Sequence, residues 1–381
     1  MKQIARLVLL LPALGAVFVG LAVACGGDDA SPSPTTAAAT ATLATTSTTA
    51  ATTVGTAASA SKVDLTRLPI GDSKVSTTAA AKGSLWSCRA LTGGGGAGKD
   101  GPWIRSDGTW DSTAKAKVSG EVAWPTANVS IAVQGDKRVI SGNGLPSHTT
   151  GVYPVASTDA AYAYDRNPNT IKAQTLSYSI PANPTVATAP SCTGGEIGFA
   201  LSGVAINNAI DGQNRDAVAH EVQDSCSGHP QERGIYHYHS ASACAADAGT
   251  GHSALIGYAF DGFGIFGFRG EDGKEQTNAD LDECHGQTHE ITWDGKKVTM
   301  YHYHATHEFP YTVGCYRGTA IKIRPGGSGA QTGNPRFAAD DERGAGRLVD
   351  SSAQLLAGDA VSVPCLRPLP CGCVAQGPSG R

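Results

Sequence analysis

The string Tyr-His-Tyr-His occurs twice, at residues 236–239 and 301–304, and is the feature of this sequence best suited to chemistry. Neutral imidazole is the commonest side-chain ligand for zinc, copper, nickel and iron. In a strand, residues i and i+2 share a face. His237 and His239 therefore point one way and Tyr236 and Tyr238 the other, and His302 and His304 oppose Tyr301 and Tyr303 in the same manner. If the two strands are adjacent, a spacing of about 4.8 Å brings all four imidazoles onto one patch. The expectation is a transition-metal site, copper or zinc, made by His237, His239, His302 and His304. The tyrosines are expected to pack inward, with hydroxyls that need partners.

The composition supports a site rather than an accident, because ten of the eleven histidines lie between His220 and His307. The competing reading is that these residues simply pack in a sheet. Four uncoordinated imidazoles in contact would then repel one another when protonated, near about pH 6. His229, His285, His289 and His307 flank the motifs, and His220 and His252 have no counterpart in the other copy. Singly, such residues are more often surface or capping groups than ligands.

Acidic residues at Asp211, Asp216, Asp280, Asp282 and Glu283 make calcium the alternative ion, although neither run has the full spacing of an EF-hand. Gly93 to Asp100 nearly reproduces a phosphate-binding loop. Asp100 stands where a Ser or Thr should hold magnesium, and no apolar strand precedes it, so a turn is expected. A nucleophile elbow and a His-Glu-x-x-His pair are both absent, which removes the usual hydrolase motifs.

The elements that must position the histidines read as strands. Alternation at 116–124, 129–133, 175–180 and 319–323 predicts strands, and 159–164 is the one helical candidate. Asp294-Gly295 between residues 289–293 and 296–300 predicts a tight hairpin, since glycine accepts positive φ. Four landmarks recur in order: residues 197–206 resemble 256–265, Asp224-x-Cys226-x-Gly228 resembles Asp282-x-Cys284-x-Gly286, the two motifs follow, and Cys244 parallels Cys315. The expected fold is a mostly β, disulfide-stabilised domain with an internal duplication, repeats at about 197–244 and 256–315 related by a pseudo-twofold axis, and few helices. The same equivalence suggests disulfides Cys226–Cys244 and Cys284–Cys315, with pairing across the repeats as the rival.

Residues 1–24 read as an export signal: Lys2 and Arg6, an apolar run, then small residues before Cys25. Cys25 is the expected lipidation site, which would hold the protein at a membrane outer face, and cleavage with secretion is the alternative. Residues 25–62, rich in Ala, Thr and Ser, predict an extended tether. The β domain is expected over 83–325, followed by a linker and cysteine-containing tail at 326–381. An exported chain makes its cysteines disulfide candidates. The net charge of −4, more negative once Lys2 and Arg6 are removed, argues against a nucleic-acid partner.

The region from about Gly101-Pro-Trp103 to Gly318 resembles the YHYH family of exported proteins. The resemblance rests on Gly144-Leu-Pro-Ser-His148, Asn167-Pro-Asn169, residues 178–184, Asp280-Leu-Asp-Glu-Cys284, Tyr301-His-Tyr-His-Ala305 and Gly314-Cys-Tyr-Arg-Gly318. It implies an extracytoplasmic domain and adds His148 to the candidate site, without supplying a mechanism. Three functions follow from the residues: an envelope-attached metal-binding protein, a metal-dependent enzyme on the same site with Glu232, Asp261 or Glu308 beside the ion, or a structural surface protein.

Overall fold

The computed structural model describes residues 63–91 and 93–323. The expected export signal, the expected lipidation site Cys25, the expected tether and the tail with Cys365, Cys371 and Cys373 lie outside the described residues. The described fold begins ahead of Gly83: Leu68 is buried, and β1 (Leu68–Pro69) pairs with β4 (Thr109–Trp110), while β2 (Val75–Ser76) pairs with β3 (Leu85–Trp86). The described residues are mostly β, with one short α-helix, Ala217–His220. Among the described residues no helix is long and apolar enough to cross a membrane.

The strands that matter for the histidines form one eight-stranded sheet: β8 (Glu196–Ala200), β9 (Ala205–Asn207), β10 (Gly228–Pro230), β11 (Tyr236–Tyr238), β12 (Leu255–Ala259), β13 (Gly264–Phe266), β14 (Gly286–Trp293) and β15 (Lys296–His304). The spatial order is β10-β11-β9-β8-β12-β13-β15-β14. β8 and β12 meet antiparallel at the centre. Outward on either side come an antiparallel neighbour (β9, β13), a parallel one (β11, β15) and an antiparallel edge (β10, β14). A parallel neighbour needs a crossover connection, and the crossover after β9 contains the helix 217–220.

A second sheet, β5 (Val129–Gln134), β6 (Lys137–Gly142) and β7 (Leu176–Pro181), is antiparallel throughout. Its Ile140, Tyr178 and Ile180 share a core with Phe199, Ile206, Phe260, Ile265 and all four motif tyrosines. Arg138 bolts the two sheets together. Its guanidinium lies over the rings of Tyr258 and Trp293, at 4.5 and 4.9 Å from their centroids, and makes a two-pronged bond to Asp294 in the β14–β15 turn. That turn is the predicted hairpin, with φ of 46° at Asp294 and 76° at Gly295. A second core, around Leu68, Leu85, Trp103, Trp110, Ala219 and Val222, carries the helix.

The alternation at 116–124 does not make a strand. Its backbone touches other segments only as isolated bridges, Val118 to Asp224 and Val122 to Thr150. Residues 319–323 form no strand either: Ile321 donates its amide to the Phe260 carbonyl, and Ile323 makes an isolated bridge. The helical candidate is a short 3-10 turn, Ala160–Ala163, capped by the Asp159 carboxylate. Among the described residues three disulfides form: Cys226–Cys244 and Cys284–Cys315, the pairs expected from the repeat, and Cys88–Cys192. Such bonds persist in oxidising, extracytoplasmic surroundings.

One core carboxylate gives a measurable pH effect. Glu196 accepts the Tyr178 hydroxyl at 2.5 Å, and burial pushes its pKa up to about 7. A raised carboxylate pKa means the folded protein holds the proton more tightly than the unfolded chain. This stability is fully present below about pH 4.5 and is lost as pH rises through about 7, amounting to about 3 kcal/mol. Urea titrations of Glu196→Gln should lack this slope and show higher stability than the natural chain above pH 7; parallel pH profiles would contradict the assignment.

Candidate metal centres

The motif strands divide their side chains as the alternation requires. Tyr236, Tyr238, Tyr301 and Tyr303 enter the common core, and each hydroxyl has a partner: Asp224, Ser202, Asp282 and Asp261 respectively. The Tyr236 and Tyr301 rings lie over Gly228 and Gly286, where an added Cβ would sit 2.3 Å from either phenolic oxygen. Glycine in the Asp-x-Cys-x-Gly segment is therefore what lets the tyrosine lie flat on the neighbouring strand.

The histidines do not form one patch. Between β11 and β15 stand β9, β8, β12 and β13, so the His237–His239 and His302–His304 pairs belong to separate centres. The correction has a simple cause: each motif strand pairs in parallel with a strand of its own half, and the two halves meet through β8 and β12.

At the second centre four imidazoles converge. His302 Nε2 lies 3.1 Å from His289 Nε2, 3.2 Å from His304 Nε2 and 3.3 Å from His252 Nε2. The hairpin register sets Met300 opposite His289, so His302 is its diagonal same-face neighbour. His304 lies beside Phe266 of β13, and His252 arrives on the β11–β12 connection with its ring edge-on to Phe266. Every Nδ1 faces a backbone carbonyl: Ser253 at 2.9 Å, Glu290 at 3.1 Å, Met300 at 3.1 Å and Gly267 at 2.8 Å for His252, His289, His302 and His304. A carbonyl only accepts, so Nδ1 donates and each neutral ring presents its lone pair at Nε2. Lone pairs that face one another at these distances repel unless a cation lies between them. A tetrahedral ion with metal–nitrogen bonds of about 2.05 Å sets its ligands about 3.3 Å apart, which matches.

At the first centre, His229 on β10 stands directly opposite His237 on β11, and His239 follows on the same face. His237 Nε2 is 3.0 Å from His239 Nε2. The Nδ1 atoms of His237 and His239 donate to the carbonyls of Ile235 and Asn208. Glu221, at the end of the helix, places Oε2 3.4 Å from His239 Nε2 and 3.5 Å from His229 Nε2. Glu221 Oε2 and His229 Nε2 are buried and have no hydrogen-bond partner. An orphaned carboxylate oxygen facing imidazole nitrogens is a donor set that suits a divalent ion.

Burial holds the rings neutral, and neighbouring imidazoles add to it at His237, His302 and His304. It pulls the pKa of His302 down to about 2, of His304 and His237 to about 3, and of His239 to about 4. Burial also drives His229 and His252 down, and Glu221 up. Neutral imidazole is the ligating form.

Other sequence candidates lie elsewhere. His148 bonds the Tyr238 hydroxyl and the Thr149 carbonyl, near the Cys226–Cys244 disulfide and outside both centres. His220 is held by Asp72 and Asp100, His285 by the Thr306 hydroxyl, and His307 stacks on Phe268. The carboxylates proposed for calcium hold loops instead. Asp211 accepts from Gln213 and the Arg215 guanidinium, Asp216 from Gly71, Ala219 and Tyr311, and Asp282 from Cys284, Gly286 and Tyr301. Of the acids expected beside an ion, Asp261 accepts from Tyr303, Phe263 and Gly318, and Glu308 from Asn278. Glu232 is exposed, in the wall of the cavity that reaches the first centre. Sequence reasoning missed Glu221 and set aside His229, His252 and His289. For His229 and His289 the signal was their place beside a motif strand; for His252, on a connection, and Glu221, at the end of the short helix, there was none.

The model of the YHYH protein family matches residues 177–277. The matched stretch supports the resemblance seen in the sequence; it contains the first motif and ends before the second. No match was found among curated proteins or among solved structures.

Proposed function

We propose that this chain, with its YHYH-family region, is an exported metal-binding protein carrying two imidazole centres, with copper or zinc as the ion. One observation carries the reading: four Nε2 atoms meet at 3.1–3.3 Å around His302 while every matching Nδ1 is tied to a carbonyl. Imidazole-only ligation suits copper and zinc and disfavours the hard ions, calcium and magnesium. The mirrored strand order about β8 and β12 supports a duplicated, pseudo-twofold unit as the origin of two centres. Lipidation at Cys25 and a tether over 25–62 would place both centres beyond the outer face of a membrane.

The reading predicts about two metal ions per chain in the purified protein after loading with zinc and desalting, measured by elemental analysis. His302→Ala/His304→Ala and His237→Ala/His239→Ala should each retain one ion. A metal content unchanged by either pair of substitutions would sink it. A metal-dependent enzyme is the second reading, and the observation in its favour is that the first centre lines a large cavity.

A further inference from the structure

The first centre lies in the wall of a cavity of about 920 Å³, whose lining includes Glu221, His229, His237 and His239. Three cationic side chains share this lining. Arg89, Lys99 and Arg166 all line the space and are exposed. None of the three has an ion-pair partner among the described residues. The acids in the lining offset part of this charge: Asp165 and Glu232 carry one negative charge each, which leaves the three cations a net charge of about +1 away from the centre. Asp165 is committed to the amides of Asn167 and Val222, and Asp211 to Arg215. Glu221 belongs to the centre itself.

The glycine run that imitates a phosphate loop in the sequence forms part of the same wall. Gly94, Gly95, Gly96 and Gly98 line the cavity, and a Cβ at Gly94, Gly95 or Gly98 would meet nothing within 4 Å. This stretch therefore lets its backbone come close to a molecule in the cavity, with no side chain in between.

Resting on the metal-binding reading, we propose that the first centre is ligand-accepting: the cavity binds a small oxyanion, a carboxylate or a phosphate, which reaches the ion held by Glu221, His229, His237 and His239. Arg89, Lys99 and Arg166 draw it in and balance its charge.

The test uses cobalt(II), whose visible absorption reports its ligands, in the His302→Ala/His304→Ala chain, where only the first centre remains. Titration with inorganic phosphate and, separately, with succinate should produce a saturable change in the cobalt bands for at least one of them. Changing Arg89, Lys99 and Arg166 together to Ala should weaken that binding about ten-fold or more, with cobalt content still one per chain. Saturation by phosphate alone or succinate alone tells which oxyanion fits. No spectral change with either, or equal affinity in the triple variant, would overturn the proposal and leave the metal reading intact. Failure to take up cobalt at all would sink the metal reading. Should the double variant fail to fold, the same titrations on the natural chain, with His237→Ala as the control that loses the response, give the same decision.

Discussion

Loading the natural chain with zinc is expected to raise its thermal midpoint by about 10 °C, and His302→Ala should remove roughly half of that shift or more. A ligand that binds only the folded state adds about 4 kcal/mol when present at a thousand times its dissociation constant, and for a domain of this size 1 kcal/mol moves the midpoint by about 2–4 °C. His302 is the residue to change because its Nε2 touches the other three, His252, His289 and His304. Alanine at this buried site also opens a cavity, so the informative quantity is the zinc-induced shift within each variant. His307→Ala is the control, as that ring stacks on Phe268 apart from the centre and should leave the shift intact. Differential scanning fluorimetry with and without zinc reads the effect. An identical shift in His302→Ala would place the ion elsewhere.

Removal of the Cys284–Cys315 disulfide is expected to cost about 3–4 kcal/mol. The bond closes a separation of 31 residues that contains the whole β14–β15 hairpin, and loop-closure entropy of that size gives this magnitude. Both cysteines are fully buried. Cys284 also donates its amide to the Asp282 carboxylate that receives the Tyr301 hydroxyl, so the bond fixes the strand carrying His302 and His304. Paired substitution to Ala should lower the urea midpoint and steepen the transition, since the unfolded chain becomes more extended. Cys226–Cys244, closing 18 residues and with Cys244 exposed, should cost less. An equal or larger loss at Cys226–Cys244 would show that loop size is not the governing factor.

The parts of this fold legible in the sequence are those set by local chemistry. Asp294-Gly295 fixed the hairpin because a primed turn needs positive φ, and the alternation in the motif strands fixed which side of the sheet the tyrosines take. The two repeated cysteine pairs were legible because each landmark recurs in the same order around its own motif. Strand order was not legible. Nothing in residues 236–239 or 301–304 says that each will choose a parallel partner within its own half, and that choice separates the four motif histidines into two centres. Alternation at 116–124 signals a half-buried segment, yet a ladder also needs a partner, and the backbone there finds only isolated contacts. Glu221 was invisible for a related reason. It looks like one more surface acid until the crossover helix, seated on Trp103 and Trp110, carries it beneath His229 and His239.

The central claim is that the facing imidazoles around His302 hold a metal ion through Nε2 alone. X-ray absorption on zinc-loaded His237→Ala/His239→Ala protein tests it most directly, because only the second centre remains. The account predicts a shell of four nitrogen scatterers at about 2.0 Å with the outer-shell pattern of imidazole rings. A shell dominated by oxygen, or by fewer than three imidazoles, would contradict it.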